Sequence, residues 1–286
     1  MIKFGPAGNP DNFYTRGFKS STDMPKWLNE IGLNAYEYQC SKGVKITEKT
    51  ARELGKNAKE NDIALSVHSP YFISLSSVEK EKRDNSINYI LSTLRAADYM
   101  GATRIVVHSG SCAKISRNDA MELAKDTIKR AVDAAKAEKL DHIRICPETM
   151  GKINQLGTVD EVIELCKIDE ILMPCVDFGH VNAREMGSLN VIEDFESICN
   201  KIQNELGEER GKNFHVHFTR IEFSAGGEKK HIVYDDDSFG PAFDPFAEVI
   251  ARKNLTPVII CESPGTQDID SLTYKRIFEG IKWQIN

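Results

Sequence analysis

The chain has 286 residues, 41% apolar and 28% charged, with 19 Gly, 10 Pro and a formal net charge of -6. These are globular proportions with ample chain for a core, suited to two small domains or one large α/β barrel. The acidic balance argues against a protein that coats nucleic acid nonspecifically, while leaving room for a local basic patch around an acidic cleft. Cysteines at 40, 112, 146, 166, 175, 199 and 261 form no C-x-x-C, and several are flanked by apolar strand residues. That pattern suits buried thiols in a reducing cytosol better than a disulfide framework or a zinc knot. The opening MIKFGPAGNP lacks the apolar core of a signal peptide, and no window reaches transmembrane length. A soluble, cytoplasmic, monomeric protein is expected.

In chain order, apolar β-branched runs alternate with stretches of helical period, the pattern of parallel βαβ units. The expected strands are Ile2–Phe4, Ala35–Gln39, Ala64–His68, Arg104–His108, Arg144–Glu148, Met173–Asp177, Asn213–His217 and Val258–Glu262. Between them, helices are expected around Met24–Glu30, over Thr47–Asn61 and over Glu79–Met100, where Gly101 supplies a left-handed cap. Another starts near Asn118 and Asp119, and Thr158 with Glu161 forms a capping-box signature for the next. The last three are Ile192–Leu206, Asp244–Lys253 and Asp268–Trp283. The long connection Thr219–Phe243 reads as irregular, and its acidic run Asp235–Asp237 as a solvated loop. Eight strands in 286 residues leave about 36 residues per unit, the size of a strand, a helix and two loops. With no linker or composition break, residues 1–286 read as one domain of the α/β class, a single (β/α)8 TIM barrel.

Six consecutive strands, the third to the eighth, end in a residue able to bind metal: LSVHSPY at His68, RIVVHSGS at His108, RICPETMG at Glu148, MPCVDFGH at Asp177, NFHVHFT at His217 and VIICESPG at Glu262. In a parallel barrel all these ends open on the active face, so the six side chains converge. In MPCVDFGH the run delivers Asp177 and then turns at Gly179, bringing His180 to the same space; His231 comes from a loop on that face. A lone strand-end histidine is usually structural, and a lone acid there often caps the next helix. Six in succession are harder to assign to such roles. Three imidazoles and three carboxylates exceed the three protein ligands of an ordinary catalytic zinc site. Two or more metals sharing a carboxylate are expected. Zinc suits mixed histidine and carboxylate ligation, with manganese or iron as alternatives. Paired divalent cations activate water and neutralise the oxygens of a phosphodiester, so phosphoester hydrolysis is the natural chemistry.

The motifs HSPYFISL, HSGS, PETMG, VDFGH, HVHF and CESPG resemble, in order and spacing, those of the endonuclease IV family from about Ala64 to the C-terminus. The resemblance implies a zinc-dependent apurinic/apyrimidinic endonuclease with a (β/α)8 barrel and a three-zinc cluster, cutting duplex DNA 5′ to abasic sites. It implies that His68, His108 and bridging Glu148 hold one metal. Asp177, His217, Glu262 and the same Glu148 would hold a second, and His180 and His231 would belong to a third. It further implies catalytic roles for Glu148 and Glu262, with Glu148 orienting the attacking hydroxide, and a substrate contact at Tyr71. Two positions depart from the pattern. Where the family's third metal has an Asp two residues before the last His, this chain has Lys229, which cannot ligate. Either Glu228 replaces that acid, Lys229 contacts phosphate, or the third site is weak or empty. Where the family places polar and arginine wedge residues, YEYQCSKGVK offers Gln39 and Lys42.

The rival reading is a sugar isomerase or epimerase of the xylose-isomerase-like superfamily acting on a small sugar or sugar phosphate. It needs one divalent metal held by Glu148, Asp177, His217 and Glu262, whose two glutamates exchange a proton at a substrate carbon, with His180 touching substrate. His68, His108 and His231 then have no duty. A barrel that binds a phosphorylated ligand without chemistry fits less well, because every ligand of the first two sites is present. His142 reads as structural, and His215, inward on the strand of His217, as core filler in preference to a supporting partner of the metal ligands.

Overall fold

Apolar side chains on both faces of a short strand mark it for burial on both sides, and here they produce a barrel. The computed structural model describes residues 1–285. Its barrel strands are β1 (Lys3–Pro6), β2 (Ala35–Gln39), β3 (Ala64–His68), β4 (Arg104–His108), β5 (Arg144–Glu148), β6 (Cys175–Asp177) and β7 (His215–His217). An antiparallel hairpin of β8 (Arg220–Ser224) and β9 (Gly227–Ile232) follows, and β10 (Val258–Cys261) completes the barrel. The order is β1-β10-β7-β6-β5-β4-β3-β2, with parallel pairing throughout. The sheet ends meet where the Gly8 N–H donates to the Glu37 carbonyl at 2.8 Å and the Asn34 N–H to that of Phe4 at 3.1 Å. A Cβ on Gly5 would lie 1.8 Å from the Ala35 carbonyl oxygen, so only glycine lets this seam close.

The helices are α1 (Asp11–Thr15), α2 (Met24–Ile31), α3 (Glu48–Glu60), α4 (Lys80–Met100), α5 (Arg117–Ala137), α6 (Val159–Cys166), α7 (Phe178–Arg184), α8 (Ile192–Leu206), α9 (Glu208–Asn213), α10 (Asp244–Lys253) and α11 (Gln267–Ile285). The local signals hold where they were strongest. Gly101 caps α4 with a left-handed φ of 67°, and Thr158 and Glu161 exchange both bonds of the capping box. Two expectations are corrected. The turn at Gly179 is the first turn of α7, because Asp177 accepts the His180 N–H and starts a helix. The stretch Thr219–Phe243 contains a hairpin, since Ile221 and Phe223 alternate with polar residues before a Gly-Gly turn.

Most of the apolar core lies between sheet and helices. Around β6 and β7 it is aromatic: Phe178 packs on Phe246 with ring centroids 4.3 Å apart, and Phe218 on Phe243 at 4.9 Å. Phe178 and Phe218 directly follow Asp177 and His217, so burying each ring, at about 1.5–3 kcal/mol, also fixes a ligand-type neighbour.

Inside the barrel, alternation selects a different set. The inward side chains include Ala35, Glu37 and Gln39 on β2, Ser66 and His68 on β3, Arg104, Val106 and His108 on β4, Cys146 and Glu148 on β5, Cys175 and Asp177 on β6, and His215 and His217 on β7. Val258 and Ile260 precede Glu262 in the same phase at β10. Thus six neighbouring strands each carry a histidine or acid at the carboxyl rim.

Candidate metal centre

Strand register aligns the rim. His108 stands opposite Glu148, and Asp177 opposite His217. Glu148 is at the hub: its Oε2 lies 3.5 Å from His68 Nε2 and 3.4 Å from His108 Nε2, while its Oε1 lies 3.0 Å from His217 Nδ1. Glu262 Oε2 is 3.4 Å from the same Nδ1. Two ligands about 2.1 Å from a tetrahedral zinc stand about 3.3–3.4 Å apart, so most of these gaps, long for direct hydrogen bonds, match donors around a shared cation. Among the described residues, buried Glu148 Oε2 and Asp177 Oδ2 have no hydrogen-bond partner, and neither has His231 Nδ1. Such orphaned acceptors fit a cation. Donor atoms within 4.8 Å of one another form the sets His68, His108, Glu148; Glu148, Asp177, His217, Glu262; and Asp177, His180, His231.

Three of the rings are anchored at their other end. His68 Nδ1 meets the Ser69 carbonyl at 2.8 Å, His180 Nδ1 the Thr149 carbonyl at 2.9 Å, and His217 Nε2 the Glu37 carboxylate at 3.0 Å. These contacts fix orientation and leave the opposite nitrogen free to ligate. Asp177 does two jobs, capping α7 through Oδ1 and leaving Oδ2 for the cluster.

Charge balance makes the same point. The ion-pair partners of Glu37, Glu148 and Glu262 among the described residues are histidines, with no Lys or Arg. Burial alone lowers His68, but Glu148, Glu37 and Glu262 raise it to about 9. His180, lowered by burial, is lifted to about 9 by Asp177, Glu228 and Glu148. His217 rises well above its ordinary value because Cys175, Glu262, Glu37 and Glu148 outweigh burial. His108 falls to about 4, chiefly through burial. Burial raises Asp177 to about 6; Glu262 resists burial and is held at about 2 by His217. Without metal, protons on the imidazoles carry the positive charge these acids require.

The hairpin completes the last set. β9 docks on the loop after β5, with the Glu228 N–H donating to the Gly151 carbonyl at 3.1 Å. Glu228 Oε2 then lies 3.4 Å from His180 Nε2. A Cβ on Gly151 would come within 2.6 Å of Glu228 Cβ and 2.9 Å of His180 Cδ2, so the approach requires glycine. His231 packs edge-on to His180, centroids 5.4 Å apart. Lys229 is half-exposed and paired with Glu222, and Glu228 is the acid that faces His180.

The remaining positions are spread around the face. Tyr71 is 59% exposed and stacks edge-on against Phe72. Gln39, half-buried at the end of β2, donates to Glu37 at 3.3 Å, and Lys42 is exposed in the following turn. His142 lies on the exterior, bonded to Asp98 at 3.0 Å. His215 is not core filler: its Nε2 lies 2.9 Å from Glu37. Glu37 escaped the sequence reading. Its signal was an acid between Ala35 and Gln39 on the inward face of a strand.

With this geometry the chain can be compared with known proteins. A family model described as xylose isomerase-like TIM barrel matches residues 25–284. The chain belongs to that family. An uncharacterised protein of Methanocaldococcus jannaschii is 33% identical over 264 residues, 92% of each chain. A probable endonuclease 4 of Mycoplasma genitalium is 25% identical over 237 residues, covering 79% of this chain and 74% of the relative. Among solved structures, endonuclease IV from Thermus thermophilus superposes with a TM-score of 0.71 at 17% identity over 99% of both chains. A D-tagatose 3-epimerase-like protein superposes with a TM-score of 0.76 at 20% identity over 100% of both. These structural likenesses show a shared barrel, found under both nuclease and epimerase names, so the chemistry rests on the side chains. Six of the seven cysteines are buried and all are unpaired, and among the described residues no helix is long and apolar enough to cross a membrane.

Proposed function

We propose that the chain is a metal-dependent phosphodiesterase that cleaves duplex DNA on the 5′ side of abasic sites, acting as a single-domain cytoplasmic monomer. Glu148 carries this reading: one of its oxygens faces His68 and His108, which a one-metal sugar enzyme does not need, and the other faces His217. His68, His108 and Glu148 would hold one zinc, and Glu148, Asp177, His217 and Glu262 a second. His180 and His231, with Glu228 as the acid, would hold a third; manganese or iron would suit the same donors. Bound cations supply an acidified water and positive charge at the phosphate oxygens.

The chain's own groups do the rest. Glu148 and Glu262 orient the attacking water, and Tyr71 offers an exposed ring to an unstacked nucleotide. Gln39 lies at the rim to meet the lesion; Lys229, if released from Glu222, reaches phosphate. A net charge of -6 gives DNA little general attraction, so binding depends on the cations and is lost to a chelator. The deciding experiment incubates the zinc-loaded protein with a duplex carrying one abasic analogue. A single 5′ nick is expected; an intact duplex beside turnover of a ketose would sink the reading.

The second reading, a sugar epimerase, is favoured by one observation: Glu148, Asp177, His217 and Glu262 by themselves form a complete one-metal site. It leaves His68 and His108 idle.

A further inference from the structure

Beneath the rim lies a buried polar tie that the cluster does not account for. Glu37 is completely buried, one pleat below Gln39 on β2, and both its oxygens are committed. Oε2 accepts from His215 Nε2 at 2.9 Å and from Ser66 Oγ at 2.8 Å. Oε1 accepts from His217 Nε2 at 3.0 Å and from Gln39 Nε2 at 3.3 Å. Among the described residues neither Lys nor Arg forms an ion pair with it. Barrel interiors at this depth are normally filled by Val, Ile or Leu, and a buried carboxylate there is costly unless its bonds are complete.

We infer that Glu37 is a positioning residue, which holds the His217 ring so that Nδ1 faces the metal-binding acids and Nε2 carries the proton. An imidazole has two nitrogens that ligate equally well, and its ring can turn over. Carboxylates flank both nitrogens, Glu148 at Nδ1 and Glu37 at Nε2, so in the metal-free fold both carry protons, and Glu37 decides which proton stays when a cation takes the other side. The proton kept is the one on Nε2, and the nitrogen that gives up its proton to ligate is Nδ1, 3.0 Å from Glu148 and 3.4 Å from Glu262. His215 and Ser66 hold the other oxygen, so the carboxylate itself cannot rotate. His215 leaves its own Nδ1 buried without a partner, as expected of a ring placed to serve Glu37. The tie also joins β2, whose inward residues include no rim ligand, to β7 through the barrel interior.

This inference rests on His217 binding metal, which the nuclease and epimerase readings share, so its test needs no substrate. The protein, labelled with 15N in histidine and loaded with zinc, is read by NMR, and zinc affinity is measured by competition with a chromophoric chelator. In the wild type, His217 should carry its proton on Nε2 and metal on Nδ1. In Glu37→Gln, whose amide accepts poorly from two rings, affinity should fall about 10- to 100-fold. The His217 tautomer should become mixed, and Glu37→Asp should recover part of the affinity. A purely structural role would lower the melting temperature while leaving the tautomer and affinity of the folded protein unchanged, and that result overturns the inference. If Glu37→Gln does not fold, the wild-type spectrum decides: zinc on Nε2 of His217 refutes it. A wild type that binds no zinc would remove the site reading and this inference together, whereas failure of the nicking assay alone would leave it standing.

Discussion

The cluster has two halves built in different ways. His68, His108, Glu148, Asp177, His217 and Glu262 sit on or beside the ends of barrel strands, locked by register and by contacts to Ser69 and Glu37. His231 and Glu228 ride on a two-stranded hairpin that meets the barrel through Gly151 and its neighbours. A two-stranded ribbon has little stability of its own. The first half is therefore a fixed part of the fold, and the second a docked part whose acid facing His180, Glu228, rides on the hairpin and not on the barrel.

The largest effect should come from the strand half. Replacing Glu262 by Gln keeps its size but removes a charge from the central site, and because a metal supplies several kcal/mol of charge stabilisation, nicking should slow by about 10³-fold. Steady-state rates at saturating zinc check this, and a loss under tenfold would place catalysis elsewhere. His108→Ala should slow nicking by about 10²-fold and remove one cation, judged on the same scale of stabilisation. If the barrel is instead a one-metal epimerase, that variant keeps its activity.

Protons supply a subtler comparison. His68 in the strand half, and His180, which faces the hairpin from α7, are raised to about 9 from 6.5 in the metal-free fold. Each thus contributes stability that is full below pH 6.5 and lost as pH rises through about 9. Asp177, raised from 3.8 to about 6, acts in the same sense over its own lower window. The metal-free protein should melt at falling temperatures from pH 7 to 9.5. Zinc must displace these protons, so affinity should climb about tenfold per pH unit between 7 and 9 at each half. Titration calorimetry in buffers of different ionisation enthalpy counts the protons released, and binding independent of pH would contradict the charge balance drawn here.

The smallest effect should come from the docked half. Gly151→Ala puts a methyl against Glu228 and His180, and such overpacking costs about 1–3 kcal/mol. Chemical denaturation should show that loss while the strand-borne cations still bind with wild-type affinity. Loss of every cation would mean that the halves are not separable.

The same division explains what could be read from the sequence. Strands β2 to β5 match the expected runs residue for residue, since β-branched apolar runs bounded by polar residues have few competing structures. The rim acids and histidines were legible because each closes such a run. The hairpin was not, because Glu228, Lys229 and Lys230 crowd charge onto a strand whose support comes from the barrel beneath it. Glu37 was hidden differently: its partners His215 and His217 are 178 and 180 residues away, and only the closed barrel brings them together. The helical start at Phe178 was masked by Gly179, which reads as a turn when Asp177 is not recognised as the cap.

The central claim is that the fixed half holds two cations through one shared carboxylate. Native mass spectrometry of the zinc-loaded protein, beside that of His108→Ala, measures it directly. At least two zinc ions in the wild type and one fewer in the variant are predicted; a single ion in both would contradict the account and return the barrel to one-metal sugar chemistry.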